Sequence, residues 1–183
     1  DQNKFNSDSR GSKTTPPNLG RYGLKDFEGG YKISNLKLES PKMSGRNQAV
    51  KSLIDDTRMQ IFLPEPLRTK QKIEISMDFD FLIPNNGSDR MGMYEAKDGM
   101  IYTIAQWFPR VCVYDDIEGW NTTPYLGAGE FYLEYGDYDF EITVPYNHTV
   151  VGSGELINTR EVLTGKQIDR LKRAQNSEET VVI

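Results

Sequence analysis

Phe131-Tyr-Leu-Glu-Tyr-Gly-Asp-Tyr-Asp-Phe-Glu-Ile-Thr-Val144 alternates apolar and polar residues, the period of a strand that buries one face. The phase slips once. Phe131, Leu133 and Tyr135 share one parity, and Tyr138, Phe140, Ile142 and Val144 the other. A β-bulge at Gly136-Asp137 would absorb the extra residue and keep every large side chain on the core side. Such a stretch predicts a sheet. Upstream, Met100-Ile-Tyr-Thr-Ile-Ala-Gln-Trp-Phe108 is apolar in both parities, which predicts a central strand covered on both faces. Gln106 then stands out, because a buried amide must find hydrogen-bond partners.

Working outward, Ile73, Ile75, Met77, Phe79 and Phe81 alternate with Lys72, Glu74, Ser76, Asp78 and Asp80. This predicts a strand with one wet face, as in antiparallel sheets. At about 25 cal/mol per Å² of apolar area, full burial of those apolar side chains would contribute on the order of 10 kcal/mol. Arg58 to Leu63 reads as a further strand, stopped by Pro64 and Pro66, and Tyr31 to Leu38 as the first. The Asn47 to Asp56 stretch reads as a loop or short helical turn. Thr149 to Leu156 reads as the last strand. Thr164-Gly-Lys-Gln167 has the spacing of a capping box, and Ile168 and Leu171 share a face, so residues 165 to 174 read as a short helix. Strands spaced by turns, with helix only at the end, predict an all-β fold, an antiparallel β-sandwich.

With 183 residues, 37% hydrophobic and 27% charged, the chain is an ordinary globular one with no run approaching a membrane span. A net charge of -5 speaks against nucleic acid as a partner, since that binding needs a basic surface. Residues 1–30 are poor in apolar side chains and read as an extended arm or loop, residues 31–157 as the β-domain, and 158–183 as a linker with a short helix. The abrupt start at Asp1 and the strand-like Val181-Val-Ile183 fit a piece of a longer protein.

The chemistry-bearing residues are sparse. The single histidine, His148, and the single cysteine, Cys112, cannot supply the ligands of a zinc site, and no metalloprotease, serine-hydrolase or phosphate-loop motif is present. Cys112, between Val111 and Val113, reads as a buried free thiol. Asp115, Asp116, Glu118, Glu130, Glu134, Asp137 and Asp139 read first as a solvated face, with paired-carboxylate hydrolysis or calcium binding as the sharper alternatives. Trp107, Phe108, Tyr114, Trp120, Tyr125, Phe131, Tyr132 and Tyr135 suit core and loop-anchoring roles, with a sugar-stacking platform as the alternative. No catalytic and no metal-ligating residue is assigned.

Ala105-Gln-Trp-Phe-Pro-Arg-Val-Cys-Val-Tyr-Asp-Asp-Ile-Glu-Gly-Trp120, Gly129 to Pro145 and Val150-Val-Gly-Ser-Gly-Glu-Leu156 together resemble the N-terminal domain of the aminopeptidase N family of zinc metallopeptidases, in its Bacteroidetes-type branch. The resemblance spans about residues 31–160. It implies a saddle-like β-domain without a catalytic site of its own, packed on a catalytic domain that holds the zinc. The implied partners are that catalytic domain, absent from this chain, and the peptide substrate of the parent enzyme. Family members carry a Thr-Gln-x-Glu/Gln segment that lines the first substrate pocket. Gln106 matches it, whereas Phe108 stands at the acid or amide position and implies a more apolar pocket wall. Gln106 and Phe108 are therefore the candidate substrate-binding residues. This chain itself needs no cofactor, and a periplasmic or cell-surface setting is expected over a cytoplasmic one. The reading from another class is a free-standing extracytoplasmic binding module, carbohydrate-binding through its aromatic loop.

Overall fold

A computed structural model of the chain describes residues 29–39, 48–55, 57–85, 90–123 and 132–183. The arm expected before residue 29, the turn expected at 40–45, residues 46–47, 56 and 86–89, and residues 124–131, with the candidates Tyr125 and Glu130 among them, lie outside the described residues. The chain divides into two compact units, one ending at Gly136 and the other running from Asp137 to Ile183.

In the first unit, β1 (Lys32–Glu39) pairs antiparallel with both β2 (Gln48–Ala49) and β5 (Glu74–Asp80), giving the order β2-β1-β5. Ile33 faces Phe79 and Leu38 faces Ile75 across the ladder, so β1 and β5 join their apolar parities into one face. Leu38 is among the few buried side chains. Phe79 and its same-parity neighbours Ile75 and Met77 keep only a minor part of their surface in water, so β5 gains most of the burial its pattern allows. The opposite face is polar, with Lys32 opposite Asp80 in register.

The register shifts between Ser34 and Lys37, which face Asp78 and Ser76. One extra residue therefore sits on β1, and Asn35 takes it up with φ at 51°. Asparagine tolerates this left-handed conformation better than most residues, and its Nδ2 donates to Asp78 Oδ2. Because of this bulge, Ile33 and Leu38, which differ in parity, reach the same face.

Three two-stranded ladders complete the first unit. β3 (Ser52–Asp55) pairs with β4 (Arg58–Ile61), β6 (Met91–Ala96) with β7 (Gly99–Ile104), and β8 (Tyr114–Asp115) with β9 (Gly119–Trp120), all antiparallel. The described architecture is thus a set of small antiparallel sheets that do not close on one another, with short helix at the end. Within the Asn47 to Asp56 stretch, the described residues Gln48–Ala49 and Ser52–Asp55 are strand, not the loop or helical turn the sequence suggests. Its Ser52-Leu-Ile-Asp55 segment is exposed throughout, so no buried face imposes an alternation on it. The central strand expected over Met100 to Phe108 is instead β7, which ends at Ile104, pairs among the described residues with β6 alone and is exposed along its length. A doubly apolar run specifies two sticky faces but does not supply the layers that cover them.

In the second unit, α2 (Gly165–Ala174) occupies the expected span. Thr164 Oγ1 accepts from the Gln167 amide at 3.3 Å while Gln167 Oε1 accepts from the Thr164 amide at 2.9 Å, the two reciprocal bonds of a capping box. Lys172 and Arg173 stand in its last turn, where cations complement the helix dipole. A single-turn helix, α1 (Thr159–Val162), precedes it. The strands expected through Val144 and over Thr149 to Leu156 form no ladder among the described residues. A Cβ added at Gly152 or Gly154 would nonetheless meet the ring of Phe140 at 3.8 Å, so the two segments run near one another without a backbone ladder among the described residues. The expected bulge at Gly136-Asp137 coincides with the boundary between the units.

Candidate functional site: an aromatic cluster beneath Gln106

β7 stops at Ile104, and the chain then passes through Ala105-Gln106-Trp107-Phe108-Pro109-Arg110 without regular structure. Gln106 has φ at 54°. Left-handed backbone is uncommon for a residue with a Cβ of this size, which crowds the following carbonyl. Its carbonyl accepts a hydrogen bond from the Tyr31 hydroxyl at 3.1 Å, from a residue 75 positions away. The Gln106 side chain is exposed, not the buried amide its apolar neighbours suggest. The corner at residue 106 turns the apolar run out of the sheet.

Beneath that corner the aromatic rings converge. Tyr31, immediately before β1, meets Phe79 and Phe81 edge-on, each with centroids 5.5 Å apart. Phe79 and Phe81 lie nearly parallel at 6.5 Å, and Phe79 reaches Trp107 at 6.3 Å. Trp107 meets Phe108 edge-on at 5.2 Å, and the Arg110 guanidinium lies 4.9 Å from the Phe108 ring centroid. Edge-to-face and offset pairs are the arrangements the ring quadrupole favours, and a guanidinium over a ring face adds a cation-π attraction. Phe108 is half-buried, held between Trp107 and Arg110. The β1–β5 register is what brings Tyr31 to Phe79 and Phe81, and the exit from β7 is what brings Trp107 to Phe79.

Burial raises the Tyr31 pKa above its ordinary 10.0, and the nearby Arg110 charge partly opposes that. The phenol is a neutral hydrogen-bond donor at physiological pH, as the bond to the Gln106 carbonyl requires.

The two candidate substrate-binding residues, Gln106 and Phe108, thus sit on one short segment, the first exposed at a strained corner and the second half-buried. Tyr31, Phe79, Phe81 and Arg110 complete the cluster and were not singled out by spacing. Strand pairing makes residues 31 and 79 neighbours, and the path of the chain beyond β7 adds residue 107. A phenol, a primary amide, a guanidinium and aromatic rings can bind and orient a ligand; none is a carboxylate or imidazole poised for proton transfer.

The other candidates disperse. Asp115 is taken up by the β8–β9 turn, where its Oδ1 accepts from the amides of Ile117 and Glu118 at 3.0 and 2.8 Å. Gly119, with φ at 71°, stands where the chain leaves that turn, a left-handed conformation that glycine adopts without strain. Asp116 and Glu118 are exposed, and among the described residues no group of three or more His, Cys, Asp or Glu could hold a metal ion. Tyr114 and Trp120 pack edge-on across the hairpin at 5.1 Å, a tilted pair rather than a flat platform. Cys112 is half-buried, not buried as its valine neighbours suggest, because Val113 turns inward while Val111 is exposed. His148 follows the Tyr146-Asn147 turn, and its amide donates to the Pro145 carbonyl at 2.9 Å. No helix of the described residues is long and apolar enough to cross a membrane. Comparison of the chain with family models, with curated proteins and with solved structures gave no match in any of the three.

Proposed function

We propose that this chain is the non-catalytic N-terminal β-domain of a zinc metallo-aminopeptidase, packing on the catalytic domain and walling part of its substrate cleft. The observation that carries the reading is the corner at Gln106: an exposed amide in left-handed conformation, two residues beyond the end of β7 and braced from Tyr31. A side chain that reaches from the end of a strand toward a neighbouring domain needs such an exit. Phe108 beside it supplies an apolar wall. In the assembled enzyme the small sheets form the two layers of a saddle-like β-sandwich, completed by the surfaces they pack on. The exposed apolar side chains of β7, of which Met100, Tyr102 and Ile104 share one face of the strand, support that packing, since exposed apolar surface of this kind marks an interaction site.

In this reading the zinc belongs to the catalytic domain, and the residues of this chain bind and orient the peptide without cleaving it. The test has two arms. The full-length protein is assayed on aminoacyl-nitroanilides with and without a chelator, and the 183-residue chain is assayed alone for hydrolysis and for zinc by elemental analysis. Chelator-sensitive release by the full-length protein, with neither zinc nor activity in the isolated chain, is the expected result. Stoichiometric zinc on the isolated chain, or full-length protein inert to every aminoacyl substrate, overturns the reading.

A further inference from the structure

The role assigned to Gln106 rests on the reading just given, but what holds Gln106 in place does not. A glutamine at φ 54° occupies a conformation that costs an L-residue enough to be depopulated about tenfold when nothing compensates. Among the described residues a long-range tie acts on that residue: the Tyr31 hydroxyl donates to its carbonyl at 3.1 Å. Tyr31 is in turn fixed by two edge-on ring contacts, to Phe79 and Phe81, both anchored through β5. We propose that Tyr31 is a positioning residue, whose hydroxyl selects the left-handed form of Gln106 and so sets how the 105–110 segment is presented to a peptide.

The proposal separates the hydroxyl from the ring. Tyr31→Phe keeps the aromatic contacts and removes only the donor. The segment then relaxes toward ordinary backbone, and the fraction of molecules in the binding-competent form falls. Apparent affinity falls by that same fraction, so the full-length enzyme should show KM raised about tenfold with kcat nearly unchanged. A merely structural tyrosine would instead lower stability and leave KM alone. Gln106→Gly supplies the control, because glycine adopts positive φ without cost. In the Gln106→Gly background the left-handed form carries no penalty, so removal of the Tyr31 hydroxyl should shift the backbone of the segment far less.

The experiment is backbone NMR of the 183-residue chain, read at residues 104–110, alongside steady-state kinetics of the full-length protein on an aminoacyl-nitroanilide. Loss of the positive-φ signature at residue 106 in Tyr31→Phe, but not in Tyr31→Phe/Gln106→Gly, is the expected result. An unchanged signature in Tyr31→Phe overturns the proposal. A lost signature with unchanged KM leaves Tyr31 as the positioner of the segment and overturns the placement of Gln106 at the substrate cleft.

Discussion

Phe79 is the ring on which the aromatic cluster turns, since it touches Tyr31, Phe81 and Trp107 with centroids 5.5, 6.5 and 6.3 Å away. Phe79→Ala therefore tests whether the cluster organises the first unit. A phenylalanine buries roughly 150–250 Å² when fully enclosed; Phe79 is buried over most of its surface and alanine retains part of that area, so about 100 Å² is lost, or about 2.5 kcal/mol at 25 cal/mol per Å². The edge-on Tyr31 contact adds about 0.5–1 kcal/mol, for a total of about 3 kcal/mol. With a urea slope of about 2 kcal/mol per M, the midpoint should fall by about 1.5 M. Phe79→Leu keeps most of the apolar area and loses the ring geometry, so it should cost about 1 kcal/mol. Trp107 fluorescence in a Trp120→Phe background reports the cluster directly. Leu82→Ala, at an exposed position nearby, is the control and should stay within about 0.5 kcal/mol of the parent. If Phe79→Ala costs no more than Leu82→Ala, the cluster does not hold this unit together and the argument built on it fails.

Thr164→Ala removes one half of the capping box and should cost α2 about 1 kcal/mol, seen as lost helicity by circular dichroism; Gln167→Ala removes the other half and should cost less. For pH, the raised Tyr31 pKa means that above pH 10 the unfolded chain gives up the phenol proton while the folded chain retains it. The folded state then binds more protons, so its stability falls with rising pH. The Tyr31 contribution is fully present below pH 10.0, its ordinary value, and is lost as the pH passes through the raised one. Tyr31→Phe should flatten that alkaline part of the stability profile in urea titrations, and a profile identical to the parent's would count against the burial of the phenol.

Local signals were legible wherever both interacting partners lie within a few residues of each other. The capping box at Thr164 and Gln167 is complete in four letters of sequence, and α2 forms where they place it. The alternation of Ile75, Met77 and Phe79 fixes which face of β5 turns inward, whatever it pairs with. A parity slip also exists between Ile33 and Leu36 within β1, the kind of slip that pointed to Gly136-Asp137. In β1 it is a bulge, because β5 offers a ladder against which one residue can be left over. At Gly136-Asp137 no described strand offers that ladder, and a bulge has no meaning without one. β6 was illegible for a related reason. Met91-Gly-Met-Tyr-Glu-Ala96 has no clean period of its own and is strand because β7 lies beside it.

The same distinction explains why the site was half legible. Gln106 announces itself as a polar residue in an apolar run, which is a one-residue signal. Its conformation does not, because nothing near it in sequence favours positive φ: no glycine or asparagine occupies residues 104–110. The conformation has to come from outside the segment. The partner that accounts for it, Tyr31, is brought near by the pairing of β1 with β5, in which Ile33 stands opposite Phe79. The strained residue and its brace therefore lie on separate elements, and a substitution in β1 or β5 that shifts their register should disturb residue 106 without touching it. The corner depends on the sheet more than on its own sequence, which is why Gln106 is better tested through Tyr31 than by replacing the glutamine itself.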